Sequence, residues 1–319
     1  MSKVLVIGGA GYIGAHICQS LVDNGNSVRI FDDFSNGLHR RIDGKFTDLV
    51  EASVLDRSAL IGAMDGIDSV IHLAAKKAVE ESVSNPLKYY EHNVGGTLNI
   101  LAAMAVKKVK KIVFSSTAAV YAPSEKSAID ETDLLAPLSP YGATKVMAEE
   151  LIKSVGVAEG FSTISLRYFN VVGSTKVEFA DNSKDNLVPK VFAAIKRGES
   201  PEIYGSDYPT KDGTCIRDYI HVADLADSHL SALKRVESAI VHEVYNVGSG
   251  KGYSVKEMID QISVSMNKEL TPKLCPRRAG DIPQLIASIS KIERELGWKP
   301  KRSLKEMIDS AWQAEAGNS

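Results

Sequence analysis

The sequence predicts an α/β fold: a doubly wound parallel sheet followed by a smaller mixed α/β C-terminal lobe. Three observations predict it. Short, β-branched apolar runs alternate with helix-length segments through about residue 170. The first run opens onto the glycine-rich stretch GGAGYIG at residues 8–14. Beyond residue 170 the alternation gives way to turn-rich, weakly periodic sequence. A chain of 319 residues is long enough for one large domain with a smaller partner lobe.

In order, the runs at 4–7, 28–31, 70–73, 112–114 and 164–166 have the brevity and branching of buried parallel strands. Between them, residues 12–24, 87–106 and 141–157 are long enough for the crossover helices of such a sheet. Residues 172–186, VGSTKVEFADNSKDN, are polar and aperiodic, as expected of an ordered loop over a site or a linker. A helix is expected at 189–197, a turn-rich loop at 205–214 and a helix at 222–235. A short strand at 244–247 and helices at 255–266 and 304–316 complete the reading, with a frayed tail at 315–319.

Composition excludes several functions. A net charge of −2 gives no electrostatic case for nucleic acid or an anionic membrane surface. No apolar run approaches the ~20 residues of a spanning helix, and a strand begins at once where a secretory leader would lie. Three widely spaced cysteines, Cys18, Cys215 and Cys275, argue against a disulfide framework or a zinc site and fit a reducing cytoplasm. The seven histidines form no metal-ligand spacing, so no metal is expected. His221 is read as a hydrogen-bonding residue at a helix start.

The glycine stretch carries the first chemistry. In a Rossmann unit the first strand ends in a glycine loop whose amides face a pyrophosphate at a helix N-terminus. Gly8, Gly11 and Gly14 have that role here, with one more residue between the first two than in the usual spacing. The partner feature is an acid at the end of the second strand. Asp32 closes the run SVRIFD, 18 positions after Gly14, where its carboxylate would accept from the adenosine ribose hydroxyls and repel a 2′-phosphate. Arg40 and Arg41 lie close enough in sequence to favour NADP, but Asp32 argues for NAD.

The second chemistry is in SPYGATK at 139–145. Tyr141 and Lys145 are four apart on one helical face, and of the 11 tyrosines only Tyr141 has a lysine four residues later. A phenol titrates near ~10, too high for a base at neutral pH unless neighbouring positive charge favours the phenolate. The strand ending Phe114-Ser115-Ser116-Thr117 brings hydroxyls to the carboxyl end of the sheet, where such folds gather ligands. Thr117 is read as functional and Ser115 as a turn residue.

Together these residues resemble the extended short-chain dehydrogenase/reductase superfamily. The stretch DYPTKDGTCIRDYIHVADLADSHLSAL at 207–233 is similar to the hallmark of the UDP-glucose 4-epimerase family. AVEESVSNPLKYYEHNVGGT at 78–97, LRYFNVVG at 166–173 and PRRAGDIP at 276–283 carry the same resemblance. It implies an isomerase of carbohydrate metabolism that uses bound NAD to interconvert UDP-glucose and UDP-galactose. It further implies Tyr141 as acid/base, Lys145 as its tuner and ribose ligand, and Thr117 in the place of a usual serine. The implied cofactor-contacting positions add Tyr12, Ile13, Asn36, Lys77, Asn93 and Tyr168 to the glycines and Asp32. Phe169 and Asn170 lie near the hexose, and Asn186, Arg217, Arg278 and Asp281 hold the UDP-sugar. Leu285 stands where relatives vary between a bulky tyrosine and smaller residues that admit N-acetylated hexoses. Ser53 replaces a usual aspartate toward the adenine, and Leu73 and Ala75 replace a usual aromatic and glycine.

On this reading residues 1–170 are the NAD-binding domain. Residues 171–319 are a discontinuous UDP-sugar lobe, with the segment about 215–250 returning to the first. The superfamily's dimers imply that helices 87–106 and 141–157 pair across a homodimer. Dehydratases of similar layout need carboxylates just after the hydroxyl, where this chain has Ala118 and Ala119. The competing readings are a 4-epimerase of another UDP-sugar, a pentose or uronic acid, and a non-catalytic NAD- and nucleotide-sugar-binding regulator.

Overall fold

The structure, a computed structural model, describes residues 2–44, 46–278 and 280–317. Its strands are β1 (Lys3–Ile7), β2 (Ser27–Asp32), β3 (Leu49–Glu51), β4 (Ser69–His72), β5 (Lys111–Thr117), β6 (Ser162–Tyr168) and β7 (Asn170–Val172). They continue with β8 (Glu202–Tyr204), β9 (Ile216–His221), β10 (His242–Val247), β11 (Gly252–Ser254), β12 (Lys273–Cys275) and β13 (Gln284–Leu285). Seven of them form one parallel sheet in the order β10-β6-β5-β4-β1-β2-β3. Residues 4–7 of β1 are fully buried and every residue of β6 is buried, as a sheet covered on both faces requires.

Each face has its own apolar layer. On one, Ile17, Cys18 and Leu21 of helix Tyr12–Asp23 pack with Leu225, Leu230 and Leu233 of helix Val222–Ser238. On the other, Leu60, Ile100, Met104, Ala148 and Ile152 come from helices Arg57–Ala63, Gly96–Lys107 and Pro140–Glu159. Strand order reverses at β1, which has β2 on one side and β4 on the other. The crevice beyond the carboxyl ends of these strands is where such sheets bind ligands.

Around β9 a small sheet collects β7, β11 and β13, and β8 pairs with β12. Helices Leu187–Lys196, Val255–Met266 and Leu304–Gly317 cover it through Phe192, Met258, Ile262, Met307 and Ile308. Strand β10 then returns to the edge of the large sheet, against β6.

Two expectations change. The single helix expected at 87–106 is broken into Val79–Ser84, Pro86–Tyr89, a wide π-type turn at Tyr90–Gly95, and Gly96–Lys107. The wide turn lets Asn93 turn inward, where its side chain pairs with both the N–H and the C=O of Lys76 (2.8 and 3.0 Å). The tail expected to fray at 315–319 is helical through Gly317, while residues 318 and 319 lie outside the described residues. Among the described residues no helix is long and apolar enough to cross a membrane.

Candidate active site

The cofactor end is made mostly of backbone. Gly8 follows β1 with φ +89°, a conformation L side chains rarely adopt, and a Cβ there would lie 2.8 Å from the Ala74 nitrogen. A Cβ on Gly14 would run into the Gly8 carbonyl oxygen. Gly11 caps helix Tyr12–Asp23 without any side-chain hydrogen bond, and its first turn carries no acid. Its leading N–H groups and dipole therefore face a cleft with no side chain to blunt them. At the end of β2, Asp32 accepts from the N–H groups of Ala10 and Phe34, both at 2.9 Å. Burial pushes its carboxyl up, and these two N–H groups pull it back.

One cavity is lined by Gly8, Gly11, Tyr12, Ile13, Gly14, Asp32, Asn36 and Lys77. Asn93 lies behind this wall and fixes it through Lys76. Tyr168 turns its phenol into the core, where it hydrogen-bonds His229. Ser53 accepts from the Leu55 N–H (3.2 Å) as helix Arg57–Ala63 approaches, while its neighbours Ala52 and Val54 line the cavity.

The hydroxyls stand at the carboxyl end of β5, which reaches this cavity through Ser115. Ser139 caps helix Pro140–Glu159 by accepting from the Gly142 N–H (3.2 Å), and Pro140 opens the first turn. That start places Tyr141 beside the end of β5, where Thr117 hydrogen-bonds its side chain. Burial pushes the Tyr141 phenol up and the Thr117 contact draws it down. Thr117 also accepts from the Ala119 N–H (3.2 Å), so its hydroxyl is held at the strand end. One turn on, the Lys145 ammonium donates to the Ser115 carbonyl (2.7 Å) over the Phe114 ring. Burial pushes Lys145 down to about 7, and the Glu149 carboxylate acts against this.

The sequence reading missed Glu149 and Arg167. They form a buried two-pronged ion pair (2.7 and 3.0 Å), and Arg167 also reaches the Tyr121 hydroxyl (2.9 Å). Glu149 is four residues beyond Lys145, so the helical spacing that links Tyr141 to Lys145 pointed to it as well.

A second cavity is lined by Asn170, Asn186, Arg217, Arg278 and Asp281. Asp281 lies between Arg278 (3.0 Å) and Arg217 (3.6 Å), and Arg217 is further fixed by the carbonyls of Ile216 and Ile282. Asn186 donates to Asp181 (2.7 Å). Phe169, the neighbour of Asn170, packs with Ala118, Ala287 and Leu285 and is absent from this lining. Asp181–Asp185 and Tyr12 line both cavities.

The unobstructed glycine turn, bare helix start and ribose-directed acid fit an adenine dinucleotide. Two arginines around a second cavity suit a diphosphate ligand. The chain belongs to the NAD dependent epimerase/dehydratase family, whose pattern its residues 4–248 match. It is an enzyme of that family, and its cofactor is NAD.

Within the family the chain is 43% identical, over 329 residues, to a Bacillus subtilis (strain 168) protein named UDP-glucose 4-epimerase; the match covers 99% of this chain and 97% of that one. The UDP-glucose 4-epimerase of Stenotrophomonas maltophila, solved with NAD and formylated UDP-arabinopyranose, superposes with a TM-score of 0.94 at 36% identity, covering 100% and 99% of the two chains. The UDP-Glc/GlcNAc 4-epimerase of Campylobacter jejuni gives 0.87 at 36% identity, covering 99% and 100%.

Proposed function

We propose that this chain is a UDP-glucose 4-epimerase, with Tyr141 as its acid/base and Lys145 and Thr117 as the residues that set it. The observation that carries the reading is the placement of the Tyr141–Thr117 pair: at the end of β5, whose Ser115 lines the dinucleotide cavity, with no carboxylate at 118 or 119.

Held at the glycine loop and Asp32, NAD would supply a hydride acceptor and donor for the sugar C4, and its positive ring would favour ionisation of a nearby phenol. The protein's work is to hold the proton and the sugar. Tyr141 Oη takes the proton of the 4′-hydroxyl and gives it back to the same oxygen once the centre is inverted. Thr117 steadies the phenol and the same sugar oxygen, and a charged Lys145 favours the phenolate. Gly8, Gly11, Tyr12, Ile13, Gly14, Asp32, Asn36 and Lys77 serve the cofactor directly and Asn93 by fixing Lys76, whereas the Tyr168 phenol, turned into the core, leaves that residue no side-chain part in the cavity. Arg217, Arg278, Asp281 and Asn186 hold UDP, so that the sugar can turn over without leaving. Phe169 and Asn170 face the hexose.

A second reading, that N-acetylated hexoses are also accepted, is favoured by Leu285, an aliphatic residue packed beside Phe169 and Ala287. The Campylobacter relative, named for both sugar types, supports it. We also assign residues 1–170 to cofactor binding and 171–319 to the UDP-sugar, with the segment about 215–250 rejoining the first. A homodimer is supported by exposed apolar residues on the expected helices, among them Leu87, Leu98, Val106, Met147 and Val157. Light scattering at micromolar concentration should give twice the chain mass; a monomer mass overturns the dimer. Three unpaired thiols suit a cytoplasmic location, to be checked by cell fractionation.

The test is to incubate the purified protein, without added NAD, with UDP-galactose and with UDP-N-acetylgalactosamine, and to resolve products by anion exchange. Conversion of UDP-galactose to UDP-glucose is expected. No conversion of either sugar, even with NAD supplied, overturns the reading.

A further inference from the structure

We propose that Arg41 is a positioning residue for both binding sites, because it clamps residues 173–186 as a wall that the two cavities share. The inference rests on the cofactor and substrate reading above. The wall has little regular structure of its own beyond a single turn at Val177–Phe179, so its place must be set by what grips it. Its residues Asp181–Asp185 face the glycine loop and Asp32 on one side, and Asn170, Arg217 and Arg278 on the other.

Its root is fixed to the first helix. The Tyr12 phenol donates to the Gly173 carbonyl (2.5 Å), the Thr175 N–H donates to His16 Nε2 (3.1 Å), and Lys176 donates to Gln19 (2.6 Å). The part that lines both cavities depends on two side chains from the cofactor end. Lys77 donates to the Ser183 hydroxyl (3.1 Å) at an exposed position. Arg41 is completely buried; its Nη2 donates to the Ala180 carbonyl (2.7 Å) and to Asn182 Oδ1 (2.8 Å), while its Nη1 reaches back to the Ala10 carbonyl (3.4 Å). Ala10 belongs to the glycine loop itself. One planar guanidinium therefore spans the loop that would carry the pyrophosphate and the wall that closes the substrate cavity. Lysine has the charge for this but not the fork. The sequence made Arg41 a candidate for reading a cofactor phosphate; the structure uses it as a bracket between backbone groups.

A wall shared by two ligands couples them. Whichever binds first orders the wall, and the second then meets less of that ordering cost, with reciprocal effects on affinity. Arg41 touches the cofactor cavity but is absent from the lining of the UDP cavity, so a loss of UDP affinity on its replacement would have to travel through the wall.

The experiment is calorimetric titration of UDP into NAD-loaded and NAD-stripped protein, for wild type, Arg41→Met and Arg41→Lys. NAD released from each purified protein on denaturation is measured alongside. Wild type should bind UDP ~5–100-fold more tightly when loaded, the usual span of such couplings. Arg41→Met should retain less NAD and bring that ratio close to one, with Arg41→Lys between them. Trypsin should also cut after Lys184 faster in Arg41→Met. Unchanged NAD content together with an unchanged ratio overturns the proposal. Should Arg41→Met fail to fold in a melting scan, Arg41→Lys and the wall-side Asn182→Ala decide it by the same two readouts. Wild type that binds neither NAD nor UDP would instead defeat the functional reading on which the proposal rests.

Discussion

The two ends of the cleft recognise their ligands by different means. At the carboxyl ends of β1 and β2 the groups on offer are main-chain N–H groups, a positive-φ glycine and one carboxylate already fixed by two N–H groups. Across the wall the groups on offer are the side chains of Arg217, Arg278, Asp281 and Asn186, set on the six-residue strand β9, a loop and a helix start. A site made of backbone is fixed by the sheet and tolerates almost no added atoms. A site made of side chains can be altered one residue at a time, which is how one scaffold comes to serve several sugars. The relatives show that spread, one solved with a UDP-pentose derivative and another named for glucose and N-acetylglucosamine.

The largest expected effect lies at the Tyr141–Thr117 pair at the end of β5. Tyr141→Phe should lower kcat by about 10³-fold, within the ~10²–10⁴ span of general acid–base catalysis, while UDP affinity by calorimetry stays within twofold. A variant of near-normal rate would move the acid/base role elsewhere. Next, Arg278→Ala should weaken UDP by roughly 10–100-fold, since charge-assisted hydrogen bonds are worth ~1.5–3 kcal/mol, and should leave the NAD content untouched. Loss of NAD from that variant would break the separation drawn here. Gly14→Ala should do the reverse: its Cβ meets the Gly8 carbonyl, an overpacking of ~1–3 kcal/mol. Less NAD should co-purify, and UDP should bind the remaining loaded fraction normally.

The smallest effect at neutral pH is the most general. Burial pushes His16 and His72 down to about 3 and His221 and His229 down to about 4, so the folded protein holds all four neutral. Unfolded, each would titrate near ~6.5. Between pH 6.5 and 4 the unfolded chain therefore binds protons that the folded one excludes. The stability these groups contribute is complete above pH 6.5 and is lost as pH falls, at ~1 kcal/mol per pH unit for each group. Two of them sit where the two ends join, His16 against Thr175 and His221 against Ser310. Melting temperature should drop steadily below pH 6. A flat profile from pH 7 to 5 would show that these histidines gain protons without unfolding the joint.

Legibility in the sequence followed the same division. β1 and β4 are short, largely apolar runs buried on both faces and β2 is one interrupted by Arg29, and all three could be read to within a residue or two. The glycine turn was readable because its geometry admits no side chain, and the Tyr141 helix because Ser139 and Pro140 mark its start. His221 does cap its helix, accepting from the Ala223 N–H (3.0 Å). The strands β3, β7, β8, β11, β12 and β13 were not readable. Each has two or three residues, too few for any period, and exists because of a partner elsewhere in the chain, as β13 does through β9. Arg41 was seen but misread for a similar reason: its partner Ala180 lies 139 residues away, and no local pattern announces such a bond.

Strand β10 has a consequence for how the chain is made. It is the outer neighbour of β6, yet it follows β6 by an excursion through the whole small sheet except its last two strands. From Tyr168 to Val247 is 79 residues, which a ribosome adding ~5–20 residues per second takes on the order of 4–16 s to deliver. Throughout that interval β6, a strand buried along its whole length in the finished protein, presents a bare edge of backbone donors and acceptors. Synthesis thus has a timed window of stickiness, and pausing or truncation inside it should send the nascent chain to chaperones or to aggregates before a finished enzyme exists.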